Sequence, residues 1–233
     1  MGKNNTGAKN NTLNFIVGEH KTIREKLFSV VREHLMSGRF SLGDRVIETR
    51  LAQELKISRT PVREALHMLE REGLLESIPR VGYRLKFLTW EEIEDICEIR
   101  VVNETLAAKW AIERMKPQDL RALEANLRKT EADARNGNPK AFVDHDAEFH
   151  EIIARASGSS RLIELCETLR NHMLLYRLES IFQLETVQGA LKGHRRILDC
   201  IKRKDVEGVR KAIREHLDYA KSTIRRFALH EEE

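Results

Sequence analysis

The chain has 233 residues, 41% hydrophobic and 33% charged, with only 12 Gly and 4 Pro. That is apolar material for one large core or two modest ones, too much for wholesale disorder, and the scarcity of Gly and Pro predicts a mainly α protein. No apolar run nears the roughly 18 residues of a membrane span, the N-terminus shows no secretory hydrophobic stretch, and the odd, scattered Cys97, Cys166 and Cys200 read as reduced thiols of a cytoplasmic protein.

Residues 1–18 are polar, rich in Gly and Asn, and without a period, which predicts a flexible tail. Met1-Gly2 with Thr6 fits a myristoylation pattern, and Asn4-Asn5-Thr6 and Asn10-Asn11-Thr12 fit the glycosylation sequon, but patterns this short do not outweigh the tail reading. Residues 19–88 form the first expected domain. Ile23, Leu27, Val30, Val31 and Leu35 recur at helical spacing, and Gly38 offers a stop. A short helix with Leu51, Ala52 and Leu55 inward follows, then a tight turn at Ile57-Ser58. Thr60-Pro61 is expected to open a third helix with the stripe Val62, Ala65, Leu66 and Leu69, ended by Gly73. Tyr83, Leu85 and Phe87 alternate with Arg84 and Lys86, so residues 76–87 read as a small β-hairpin turning at Pro79–Gly82.

Residues 89–229 restart with a capping box, Thr89-Trp90-Glu91-Glu92. Strand-like alternation is absent from there on. Breaks at Lys116-Pro117, Gly137-Asn138-Pro139, Gly158-Ser159-Ser160, Gly189 to Gly193 and Lys204-Asp205 predict a bundle of about six helices.

Helix, helix, turn, helix, hairpin is the order of a winged helix-turn-helix, whose post-turn helix enters the DNA major groove. Arg59, Arg63 and His67 share one face of that helix, opposite its apolar stripe. Arginine suits the task because its planar fork bonds guanine O6/N7 or clamps phosphate. Thr60 sits at the helix start, where the dipole draws phosphate, and Arg50, Arg80 and Gly82 flank the DNA backbone. Charge agrees: residues 20–88 carry 14 Lys/Arg against 9 Asp/Glu, and residues 89–233 carry 25 against 27. The competing reading is a solvated basic face with Arg59–Glu64 or Arg63–Glu70 pairs.

In the bundle, Asp146 and His150 fall on the apolar stripe of Phe142, Phe149 and Ile153. His194 precedes Ile197, Leu198 and Ile201 by a turn, and His216 lies among Val209, Ala212, Ile213, Leu217 and Ala220. Burying such groups unpaired costs about 1–3 kcal/mol each, whereas one divalent metal pairs all four. Three imidazoles and a carboxylate suit zinc, or nickel, manganese or iron with open positions filled by water or ligand. The alternative is four separately hydrogen-bonded core residues. A diiron centre is excluded, because it needs paired Glu-x-x-His motifs and Glu64–His67 is the lone instance. His145, Glu148 and His172 fall outside the expected set.

Residues 43–75, with the core Ser58-Arg59-Thr60-Pro61-Val62-Arg63-Glu64-Ala65-Leu66, resemble the winged helix-turn-helix of GntR-family transcription regulators. The resemblance implies DNA contact by Arg50, Arg59, Thr60 and Arg63, with Gly82 near the minor groove. Two departures are Lys56, where the turn commonly has glycine, and Ser41-Leu42-Gly43, which lacks a frequent proline. Residues 90–228 resemble the FCD domain of the FadR subgroup, whose ligand pattern maps to Asp146, His150, His194 and His216. Its first-helix arginine maps to Arg100, implied to hold a small carboxylate effector beside the metal; an Arg100–Glu104 pair is the competing role. Ser159-Ser160 departs from the Asn that often follows Gly. The expectation is a homodimeric regulator, a repressor rather than an enzyme, reading a near-palindromic operator on double-stranded DNA. The rivals are a metal-dependent enzyme using the Asp/His cluster and a constitutive DNA-binding protein with a structural metal.

Overall fold

The computed structural model describes Lys26, Val30 and residues 45–71, 73–86, 88–136, 139–180 and 183–227. The expected tail lies outside these residues, as does the expected first helix apart from Lys26 and Val30, both helical.

The N-terminal elements are β1 (Arg45–Val46), α1 (Glu48–Leu55), α2 (Arg59–Arg71), β2 (Leu75–Ile78) and β3 (Gly82–Leu85). The expected hairpin is β2–β3, but the sheet has a third strand, in the antiparallel order β1-β3-β2, with Val46 opposite Tyr83 and Ser77 on Tyr83's other side. A two-residue strand is too short to show a period, so β1 was not legible in sequence. Tyr83 and Leu85 point inward onto the α2 stripe Val62, Ala65, Leu66 and Leu69, and Arg84 points out. At Gly82 φ is +135°, and a Cβ would meet the Val46 carbonyl at 2.8 Å, so glycine lets β1 close on the wing.

Helix α2 begins at Arg59, not at Thr60-Pro61. Proline is harmless there because first-turn N–H groups have no intrahelical acceptor to lose. The helix ends as expected at Gly73 (φ +73°), where Gly73 N donates to Glu70 O and Leu74 N to Leu69 O, a Schellman closure. The same closure ends α1 on a lysine. Lys56 has φ 54° and donates to Gln53 O, and Ile57 N donates to Ala52 O. The turn keeps its glycine geometry and bears the cost of a Cβ in the left-handed region.

Six helices follow: α3 (Trp90–Arg114), α4 (Pro117–Arg135), α5 (Pro139–Ala156), α6 (Ser160–Ser180), α7 (Leu184–Lys202) and α8 (Val206–Phe227). The capping box opens α3: Glu92 N donates to Thr89 Oγ1 and Thr89 N to Glu92 Oε2. Ser159 caps α6 by accepting from Leu162 N, so a serine serves where the family often has asparagine. One expected break is wrong, since Gly189 and Gly193 lie inside α7. A Cβ at Gly189 would stand 2.2 Å from the Tyr219 ring, and one at Gly193 2.5 Å from His216 Nδ1. These glycines mark close approach of α8, not a chain reversal.

The two halves touch through α6. Leu88 N donates to Tyr176 Oη, and Leu88 packs with Ile93, Met173, Tyr176 and Ile224. A Cβ at Gly73 would lie 2.3 Å from His172 Nε2, so the end of α2 rests on the His172 ring.

The left-handed lysine yields a prediction. Lys56→Gly removes a strain of about 1–2 kcal/mol against a glycine entropy cost of about 0.5–1 kcal/mol. It should raise the stability of the α1–α2 unit by up to about 1.5 kcal/mol in urea unfolding followed by circular dichroism. A loss would show that Lys56 makes a compensating contact.

Candidate metal centre and nucleic-acid interface

Helix α5 supplies Asp146 and His150 four residues apart, α7 supplies His194, and α8 supplies His216. All four are buried, and one ligand atom from each lies within 4.8 Å of the others. The expected quartet therefore converges. His194 Nε2 is 3.4 Å from Asp146 Oδ1. The His194 ring is 4.7 Å from that of His216, and His150 is 5.2 Å from each. Phe149 stacks on His194 at 4.2 Å and fixes its plane. Gly193, one residue before, leaves the room that His216 fills. His145 and Glu148 lie elsewhere: His145 Nδ1 is 2.9 Å from Asp133 Oδ2, and Glu148 Oε2 accepts from Asn126 Nδ2 at 2.8 Å.

The group also has an outer layer that sequence reading did not assign. His150 Nδ1 lies 2.9 Å from Glu104 Oε2, while Glu104 Oε1 accepts from Arg100 Nε at 2.9 Å. The other nitrogen of His150, Nε2, has no hydrogen-bond partner among the described residues. A carboxylate on one imidazole nitrogen sets the tautomer that leaves the second nitrogen's lone pair available, as in metal-binding histidines. Donor set, burial and this buried acceptor fit a divalent ion. Burial opposes the charge on Glu104, but Arg100 and His150 beside it hold its carboxyl well below the usual range. A cavity of about 10 Å³ adjoins the centre, lined among others by Glu104, His150, Cys166, Ile197 and Ile213, with room for about one water.

Arg100 is buried and engaged with Glu104, the competing role foreseen for it. Glu104 was legible only as that partner, because nothing in α3 alone says that its second oxygen faces α5. The three cysteines are free and buried, and burial pushes the Cys166 thiol up to about 11.

On α2, Thr60, Arg59, Arg63 and His67 are exposed on one side. Neither Arg59–Glu64 nor Arg63–Glu70 is the pair formed. Both arginines reach Glu48 at the start of α1: Arg59 Nε donates to Oε1 at 3.1 Å, Arg63 Nε to Oε2 at 3.0 Å and Arg63 Nη2 to Oε1 at 3.0 Å. The two guanidinium groups hold the Glu48 carboxyl below its ordinary value, the Arg63 hydrogen bond foremost. Glu70 instead lies 3.1 Å from His67 Nδ1, and Tyr83 Oη lies 3.2 Å from the same atom, tying His67 to the wing. Arg50 is exposed and pairs with Glu54. Arg80 is exposed at the hairpin turn with φ 66°.

Glu104→Gln should cost about 3–5 kcal/mol, since it strips the buried Arg100 of its counter-charge. Chemical unfolding at neutral pH measures this, and a cost under about 1 kcal/mol would show that the Arg100–Glu104–His150 chain is incidental.

Residues 95–219 match the FCD domain, and residues 23–85 match the family described as bacterial regulatory proteins, gntR family. An uncharacterized HTH-type transcriptional regulator of Bacillus subtilis, YdhC, is 28% identical over 83% of this chain and 87% of its own length. The gluconate operon transcriptional repressor of Bacillus licheniformis is 27% identical over 81% of this chain and 79% of its own. The solved structure of Escherichia coli McbR superimposes with a TM-score of 0.78 at 26% identity, covering 88% of this chain and 98% of that one. These relatives are transcription regulators, not enzymes. With a winged helix-turn-helix before a helical bundle, and the FCD match alone spanning more than half of its length, the chain belongs to the GntR family of bacterial transcription regulators.

Proposed function

We propose that the protein is a cytoplasmic, homodimeric repressor whose operator affinity is set by a small carboxylate effector bound beside a metal ion in the helical bundle. The observation that carries this reading is the buried convergence of Asp146, His150, His194 and His216 from three helices. A DNA-binding protein has no need of such a group for packing alone, because buried polar atoms cost stability unless paired. Zinc fits the three nitrogens and one oxygen best; nickel, manganese and iron are the other candidates. When bound, the ion supplies a Lewis-acid position for a carboxylate oxygen. Asp146 and the three histidines would hold it, and Glu104 orients His150 for that role. No helix among the described residues is long and apolar enough to cross a membrane.

In the DNA-bound state Arg59, Arg63 and Thr60 contact the operator from α2, with Arg50, His67, Arg80 and Gly82 around them. A two-fold dimer presents two such helices to a near-palindromic site. Effector binding favours a bundle geometry that moves the recognition helices off the half-site spacing. The contact of His172 with Gly73 and that of Tyr176 with Leu88 supply the mechanical link. Such coupling is typically about 1–3 kcal/mol, or about 5–150-fold in affinity. That the relative from Bacillus licheniformis is named a repressor supports the sign. The small cavity beside the centre favours a second reading, in which the metal is only structural and no effector enters.

The test is a thermal-shift scan of small carboxylic acids on metal-loaded protein, with and without chelator, since anything that binds the native state raises its melting temperature. Binding to a duplex selected from a random pool is then measured with and without each hit. A chelator-sensitive shift, with a change of at least twofold in duplex affinity, is expected. Metal-loaded protein that no acid shifts would favour the structural metal, and a change below twofold would refute effector control. His194→Ala should lower metal content to well below one ion per chain, and full occupancy would show that the ligand set is misassigned. Arg63→Ala should weaken duplex binding by about 1–3 kcal/mol with the fold intact, and undiminished binding would refute its contact role.

A further inference from the structure

Helix α3 is apolar on two sides. Ile93, Val101, Ala108 and Ala111 are buried, with Arg100 and Glu104, on the face turned to the bundle core. On the opposite face Val102 is 65% exposed and Ile99 49%, and Leu106, one turn on, is only partly buried. These three follow the i, i+3, i+7 spacing of a single helix face. A helix that is apolar all round is normally enclosed on all sides, and adjoining exposed apolar side chains mark a contact surface where single ones do not.

The charges around this strip are symmetric about its centre. Asp95 and Lys109 lie seven residues before and after Val102 on the same face, and both are exposed with no ion pair among the described residues. Glu98, at the edge of the strip, is by contrast held by Arg214 of α8 at 3.0 Å. Opposite charges placed evenly about an apolar centre are self-complementary under a two-fold rotation. Where a second α3 crosses the first in the antiparallel sense at Val102, Asp95 meets the partner's Lys109 at one end and Lys109 the partner's Asp95 at the other, with Ile99 beside the partner's Leu106. Sliding the pair by one turn sets Asp95 against the partner's Glu113, so charge selects the register. Length agrees. Twelve residues separate Val102 from Trp90, where α3 leaves the DNA-binding half. At about 1.5 Å per residue, an antiparallel pair centred on Val102 holds its two Trp90 ends about 36 Å apart, on the order of the ~34–36 Å between half-sites one DNA turn apart.

We infer that the outer face of α3 is a two-fold interface with a second copy of this chain, an antiparallel helix pair centred on Val102 and closed at each end by an Asp95–Lys109 bridge. This rests on the reading of the protein as a homodimer, and it names the surface and the register. The inner side of the same helix turns Glu104 to His150, so the charged core of the bundle and the dimer axis lie on opposite faces of one helix.

The experiment is sedimentation equilibrium of the full-length protein. Wild type is compared with Val102→Glu, Asp95→Lys, Lys109→Asp and the double reversal Asp95→Lys with Lys109→Asp, with circular dichroism measured on each. Val102→Glu should weaken self-association about tenfold or more. Each single reversal should weaken it about threefold or more, and the double reversal should return it to within about twofold of wild type. Val102→Cys under mild oxidation should form a disulfide-linked dimer, which the wild type, whose three cysteines are buried, should not. A dimeric wild type whose association Val102→Glu leaves unchanged, or whose Val102→Cys form does not cross-link, overturns the inference and leaves the homodimer reading intact. A double reversal that associates no better than the single ones overturns the register. Should Val102→Glu fail to fold, the Val102→Cys cross-link decides. A wild type that stays monomeric at high micromolar concentration overturns both the interface and the homodimer.

Discussion

Everything in the bundle core is arranged around one carboxylate that carries a full charge away from water. Glu104 stays ionised because Arg100 and His150 flank it, and neither of those could be buried where it is without Glu104. The chain Arg100–Glu104–His150 ties α3 to α5 by charge. Asp146, His194 and His216 then tie α5 to α7 and α8. A helical bundle built only from apolar stripes tolerates small rotations of its helices, because hydrophobic contact has no direction. Polar contacts at about 3 Å do have direction, so each helix here is fixed in rotation as well as in depth.

The same logic explains why α7 and α8 run so close. His216 reaches the centre only because Gly193 leaves its side-chain space empty, and Gly189 does the same for Tyr219. Conserving the three histidines would not by itself recreate the group. Alanine at either glycine would push α8 outward and carry His216 with it. The four clustered side chains and two residues without side chains therefore form one unit.

Most of this was legible in the sequence where one period dominates. The α2 stripe, the capping box at Thr89 and the inward Asp146, His150, His194 and His216 are local patterns, and each appears where expected. What failed to show depends on partners distant in sequence. Gly189 and Gly193 look like a break because glycine is a weak helix former, and the reason to keep them in a helix sits on α8. The first strand has two residues and no pattern of its own. Glu48 gives no sign, eleven and fifteen residues before its partners, that it will receive both Arg59 and Arg63.

In the proposed DNA contact, the clasp of Arg59 and Arg63 on Glu48 has a consequence for affinity. Before either arginine can reach a phosphate or a base edge, it must let go of an anion the protein already provides. Any duplex meets that same toll, but only a matched sequence repays it with bonds to bases as well as to the backbone. Glu48 thus behaves as a built-in decoy, a resident competitor that subtracts equally from every site. A constant subtracted from every site leaves the ratio between matched and unmatched sequences unchanged, but it shortens the protein's stay on each of them.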